Sequence, residues 1–240
     1  MKNIWFNSMA LLSMAMMLGL AGCSPVKDIQ IPHKASAPSD TVGIFLVVDG
    51  SGSMADAVKN ANGQNEAKCT IANRALLSVG NHIDGYLNSG HKVVLGIVLF
   101  RNSDVFVEAK AELSSNATGF IQAWIDTYKG PSGGTPIGAA IIAAAQEMAP
   151  MNLKSRHIII VTDGESNCGP SPESVIPSVL KKFADAGTPL GVHFVAFDTS
   201  ASQFNAVKNF GATVLSASDE KQLTGNLHNI LKNQILEREE

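Results

Sequence analysis

The chain is predicted to fold as an α/β domain: a doubly wound, mostly parallel sheet with one antiparallel edge strand and helices on both faces. Three observations predict it. Apolar runs without polar alternation, at residues 42–48 and 158–162, have the pattern of strands buried on both faces. Such runs alternate with helical stretches, the arrangement that parallel crossover connections require. Two of them end in a carboxylate and a glycine, Asp49-Gly50 and Asp163-Gly164. That puts acidic side chains at the carboxyl ends of strands, where open α/β sheets hold their ligands.

The elements follow in order. Residues 42–48 form the first strand, and residues 54–65, polar and glycine-containing, form a surface insertion beside its end. Residues 66–87 carry Ile71, Ala75, Val79, Ile83 and Leu87 at every fourth position, one apolar stripe of a helix. Residues 92–100 are the next buried strand. Asn102-Ser103-Asp104 then turns the chain into a short edge strand at 105–108. A helix at 120–128 leads to Gly133-Gly134-Thr135-Pro136, and Pro136 suits the first turn of the alanine-rich helix 137–148. After the strand at 158–162, Ser171 is placed to cap a helix that Gly187 ends. Residues 190–197, 201–210, 212–215 and 218–236 read as strand, helix, strand and helix. Residues 41–240 are thus one domain, without internal repeats, and long enough for a substantial core.

The segment before it reads as an export signal. Lys2 precedes an apolar stretch at 9–20 that is shorter than the roughly 20 residues a membrane-spanning helix needs. Leu20-Ala21-Gly22-Cys23 resembles the bacterial lipobox, which implies cleavage after residue 22 and lipid on Cys23. Ser24 rather than aspartate after the cysteine points to the outer membrane of an envelope, facing the periplasm or the cell surface. Residues 23–40, with prolines and serines and no sustained periodicity, form a tether. The formal net charge of −3 is mild, with no basic cluster to propose a nucleic-acid partner.

Function is most legible in Asp49-Gly50-Ser51-Gly52-Ser53. The alternating glycines let the loop curl until Asp49, Ser51 and Ser53 point at one centre. Hard oxygen donors of this kind suit Mg²⁺, with Mn²⁺ or Ca²⁺ as alternatives. Thr135, at a helix start, and Asp163, at a strand end, supply a further hydroxyl and carboxylate. Asp-x-Ser-x-Ser, then Gly-Gly-Thr-Pro, then Thr-Asp-Gly, in this order, resembles the von Willebrand factor type A domain with its metal-ion-dependent adhesion site. The resemblance implies that Asp49, Ser51, Ser53, Thr135 and Asp163 hold a divalent cation, and that a partner protein offers it a carboxylate from Asp or Glu.

The expectation is therefore a lipid-anchored, metal-dependent protein-binding domain rather than an enzyme. Two alternatives stay open: a metal-dependent hydrolase, for which Glu165 is the nearest candidate base, and a structural subunit whose metal never meets a ligand. Cys69 and Cys168, both expected near the metal loops of an exported chain, suggest a disulfide. His157 and His193 read as packed strand residues, Phe120 and Trp124 as core, and Asp198 as a helix cap on the ligand side of the sheet.

Overall fold

A computed structural model describes residues 29–31 and 39–236. The expected signal segment, Cys23 and most of the expected tether lie outside the described residues. Eight strands and six α-helices run in the order β1 (Val42–Asp49), β2 (Ala57–Lys59), β3 (Asn65–Ala67), α1 (Lys68–Asn88), β4 (Val93–Arg101), β5 (Asp104–Leu113), α2 (Ala117–Ile125), α3 (Ile137–Met148), β6 (Ser155–Thr162), α4 (Pro172–Asp185), β7 (Leu190–Phe197), α5 (Asn205–Asn209), β8 (Thr213–Ala217) and α6 (Glu220–Ile230). Short 3-10 turns at Gly52–Ala55 and Ala201–Phe204 and a π-helical turn at Leu231–Leu236 complete it.

Six strands form one sheet in the order β5-β4-β1-β6-β7-β8, and only β5 runs antiparallel to its neighbour. The predicted fold class is the observed one. Because side chains alternate across a strand, β1 feeds two cores. Ile44, Leu46 and Val48 pack with α1, α2 and α6, whereas Phe45 and Val47 pack with α3 and α4. All eight residues of β1 are buried. Gly96 on β4 lies opposite Phe45, and a Cβ there would come within 2.5 Å of the Phe45 ring. The aromatic ring thus occupies the volume that a β4 side chain would otherwise fill.

The chain leaves β1 for β4 on one side and later returns to β6 on the other. The direction of winding therefore reverses between β1 and β6, and the crevice above their carboxyl ends is the place such sheets leave for a ligand.

Two differences from the sequence reading concern boundaries. Strand β5 is ten residues long rather than four, with a bulge that leaves Glu108 opposite no residue of β4. Its second half, Glu108-Ala109-Lys110-Ala111-Glu112, lacks the β-branched residues that mark strands. Backbone pairing with β4 holds it, and its charges suit a sheet edge. Residues 57–67, which take in most of the expected insertion and the first two residues of the expected helix, form a small antiparallel hairpin, β2–β3. Ile29, within the expected tether, is buried in the core with α3 and α4. Among the described residues no helix is long and apolar enough to cross a membrane.

Candidate metal centre

Asp49, Ser51, Ser53 and Asp163 stand at or just after the carboxyl ends of β1 and β6, and Thr135 stands just before α3. Asp49 is the last residue of β1 and is 1% exposed. The chain turns there because the Gly50 amide donates to the Phe100 carbonyl at 2.9 Å and the Ser51 amide donates to Asp49 Oδ1 at 2.7 Å. The following 3-10 turn sinks Met54 completely into the core with α1, which keeps Ser51 and Ser53 on the opposite, upper side. Ser51 Oγ and Ser53 Oγ lie 3.2 Å apart, and Ser53 Oγ donates to Asp163 Oδ1 at 2.7 Å. Four of the five expected residues are therefore joined in one hydrogen-bonded chain.

Thr135 belongs to a loop laced onto the same centre through its backbone. The Gly52 amide donates to the Gly133 carbonyl at 3.0 Å, and the Ser132 amide donates to the Gly50 carbonyl at 2.7 Å. Gly133 has φ of +76° and stands against the backbone of Asn102, so neither its conformation nor its space accepts a side chain. Asn167 holds the other flank: its Oδ1 accepts from the Thr135 amide at 2.7 Å, and its own amide donates to the Thr135 carbonyl at 3.2 Å. Thr135 itself is buried.

Three more residues complete the centre, and none was assigned to it from the sequence. Thr162, fully buried at the end of β6, donates its hydroxyl to Asp49 Oδ2 at 2.6 Å. Lys68, the first residue of α1, sends its ammonium to Asp163 Oδ2 at 3.0 Å and Asp198 Oδ2 at 2.9 Å. Asp198 is therefore no helix cap; the cap of the next turn is Ser200, whose Oγ accepts from the Ser202 amide. A signal for Lys68 was present. A lysine at a helix N-terminus opposes the helix dipole, so a buried one there needs a carboxylate from elsewhere in the fold.

The electrostatics separate the three carboxylates. Burial pushes the Asp49 carboxyl above its ordinary value; hydrogen bonds from Ser51 and Thr162 oppose the rise, and the charge of Asp163 adds to it. Burial also opposes the charge on Lys68, but the hydrogen bonds and attraction of Asp198 and Asp163 outweigh it and hold the ammonium protonated. Asp163 thus has an ammonium partner, and Asp198 has both the ammonium and solvent. Asp49 has only amide and hydroxyl donors. Among the described residues no three His, Cys, Asp or Glu side chains gather to hold a metal. Hydroxyls must therefore supply part of any donor set. A buried, desolvated carboxylate beside two converging serine hydroxyls and a second carboxylate fits a hard divalent cation.

The expected disulfide is not formed, and Cys69 and Cys168 are free thiols. Cys69, in the first turn of α1, packs against the core on the α1 side of the sheet. The Cys168 sulfur lies beside Gly134, in the loop leading to α4 on the other side. Proximity to one end of the sheet does not bring the two sulfurs together. His157 and His193 stack with Nδ1 and Nε2 3.3 Å apart on β6 and β7, as strand residues. Trp124 is buried with the α1-side core. Glu165 is exposed on the loop after Asp163.

A sequence model described as the von Willebrand factor type A domain matches residues 43–192. No individual curated protein matches the chain. Among solved structures, the chain is similar to the PilB minor pilin of Streptococcus sanguinis in its D319A form. There the TM-score is 0.61 at 13% identity, over 90% of this chain and 64% of that one. It is similar to the pilus adhesin SpaC of Lactobacillus rhamnosus GG, with TM-score 0.59 and 14% identity over 85% of this chain and 31% of the adhesin. It is also similar to the vWF domain of the type V pili tip protein Mfa5 of Porphyromonas gingivalis. In that case the TM-score is 0.57 at 12% identity, over 82% of this chain and 96% of that one. This chain thus spans less than two thirds of the pilin and about a third of the adhesin.

Proposed function

The chain belongs to the von Willebrand factor type A domain family, and from that premise we propose that it is a divalent-metal-dependent protein-binding domain of the bacterial envelope. Asp49, Ser51, Ser53, Thr135 and Asp163 would hold the cation, Mg²⁺ by preference. When bound, the ion supplies a Lewis-acidic position open to a carboxylate from a partner protein. The protein's own part is to keep the donors in place. Thr162 orients Asp49, Ser53 is fixed against Asp163, and Asn167 clamps the Thr135 loop.

The observation that carries this reading is the state of Asp49: a carboxylate 1% exposed, with no ammonium or guanidinium of the described residues against it, beside two hydroxyls. Such a charge is costly unless a cation compensates it. That the similar structures include a minor pilin, a pilus adhesin and a pilus tip protein supports adhesion or assembly at the cell surface. Lipid on Cys23 would anchor the domain to the outer membrane, each buried CH₂ contributing about 0.8 kcal/mol. A hydrolase would need a base held against the ion, and the exposure of Glu165 disfavours it in that role.

The test is capture from an envelope extract on the immobilised protein, in Mg²⁺ and in EDTA, with the Asp49→Ala and Thr135→Ala variants alongside. One partner retained by the native protein in Mg²⁺, and lost with EDTA or either substitution, is the expected result. Retention of the same partner by both variants sinks the proposal.

A further inference from the structure

Among the described residues Lys68 is the one basic side chain paired with a carboxylate of the centre, and it is built in deeply. Its side chain is 8% exposed, that of Asp163 0%, and that of Asp198 41%. It stands at the start of α1, where the helix dipole disfavours a cation. The Lys68 amide donates to the Asp56 carbonyl at 2.9 Å, which fixes the helix start against the turn that carries Ser53. Asp198 takes a left-handed backbone, φ 52°, and its amide donates to the Ala217 carbonyl at 2.7 Å while its carboxylate meets the ammonium. A buried lysine, opposed by its own helix and bracketed by carboxylates from two strand ends, is a costly arrangement unless it has work at the centre.

Resting on the metal-binding reading above, we propose that Lys68 is a positioning and charge-setting residue of the metal centre. Braced by Asp198, its ammonium holds Asp163 Oδ2, so that Oδ1 faces Ser53. It also compensates part of the site's negative charge when no divalent ion is bound. The charge count gives this a consequence. Asp49, Asp163 and Asp198 with Lys68 leave two negative charges, which one divalent ion neutralises. Without Lys68 the loaded centre keeps one negative charge and repels an incoming carboxylate. Lys68 thus weakens ion binding and makes the loaded ion more receptive to an acidic partner.

The test compares the native protein with Lys68→Met, Lys68→Arg and Asp198→Asn, by calorimetric titration with Mg²⁺ or Mn²⁺ alone and by melting in EDTA and in Mg²⁺. Lys68→Met should melt lower than the native protein in EDTA, recover more on adding Mg²⁺, and bind the ion more tightly, on the order of ten-fold. Lys68→Arg, which keeps the charge, should stay within a few-fold of native. Asp198→Asn should bind the ion several-fold more weakly, and it carries the test alone if Lys68→Met does not fold. Lys68→Met binding Mg²⁺ no more tightly than native, or Asp198→Asn binding it unchanged, overturns the role of Lys68. Absence of ion binding in every form, native included, overturns the metal centre itself.

Discussion

Replacing Thr162 with valine tests the hydrogen bond at the base of the candidate centre. The two side chains have nearly the same shape, and Thr162 is fully buried, so the substitution removes an oxygen without opening a cavity. The strongest bond lost is the 2.6 Å donation to Asp49 Oδ2; the same hydroxyl also meets the Gly164 amide, which donates to it at 3.4 Å. A hydrogen bond to a charged group contributes about 1.5–3 kcal/mol, and stranding a buried acceptor forfeits that stabilisation. The methyl that replaces the hydroxyl recovers up to about 0.8 kcal/mol of apolar burial. The net loss should be about 1–2 kcal/mol, or about 2–8 °C in Tm for a domain of this size. The bond favours the ionised carboxyl, so the loss is larger at pH 8 than near pH 3. The assay is urea unfolding in EDTA, followed by tryptophan fluorescence, at both pH values and on an Asp49→Ala background. On that background Thr162→Val should cost much less, since only the weak bond from the Gly164 amide remains to be lost. A loss under about 0.5 kcal/mol at pH 8, or an equal loss with and without Asp49, refutes the reasoning, since such coupling is what a double-mutant cycle measures.

Two further outcomes follow from the structure. Hydrogen bonds from Arg74 and Asn60 hold the Glu66 carboxyl down at about 2 from an ordinary 4.5, and Arg74 also reaches Glu220. A depressed carboxyl stabilises above its unfolded value and loses that contribution as pH falls through the folded one. Arg74→Met should therefore lower the urea midpoint at pH 7, with a cost that fades between pH 4.5 and pH 2; a pH-independent cost would refute this. Because Cys69 and Cys168 are unbridged, dithiothreitol should leave Tm unchanged, and a reductant-dependent fall of several degrees would show a covalent link between them.

Where the sequence was legible, burial made it so. β1, β6 and β7 are interior strands of a parallel sheet, covered on both faces, and their continuous apolar runs have no other ready explanation. Helix α3 kept its predicted bounds because its alanines pack against both α4 and the sheet, which small side chains permit. The far half of β5 was illegible for the opposite reason: its residues are chosen for an exposed edge, and only the backbone of β4 defines it as a strand. The five motif residues were legible from their junctions. Thr162 was hidden as the last residue of an apolar run. Lys68 and Asp198 were hidden because strand order, not chain order, brings them together: β7 lies beside β6, so the residue after β7 comes to stand near Asp163. The disulfide expectation failed because two loops at one end of a sheet can still lie over opposite faces.

The same strand order explains why positive charge is scarce at this centre. Asp49, Asp163 and Asp198 end or follow β1, β6 and β7, three adjacent parallel strands, so all three stand at the same end of the sheet. The three are compensated unequally. Asp198 is partly in water, where a charge is cheap to keep, and Asp163 has the ammonium of Lys68. Asp49 belongs to the strand between β4 and β6 and is 1% exposed, and among the described residues no ammonium meets it. Dipolar donors stabilise a buried carboxylate only in part, as its upward shift records. Replacing Asp49 by asparagine should accordingly cost the metal-free protein little or even stabilise it, because a neutral amide is cheaper to bury than a charge. A buried carboxylate that would lower the stability of the empty fold, set at the end of the central strand β1, is better explained by an ion it can bind than by the fold it belongs to.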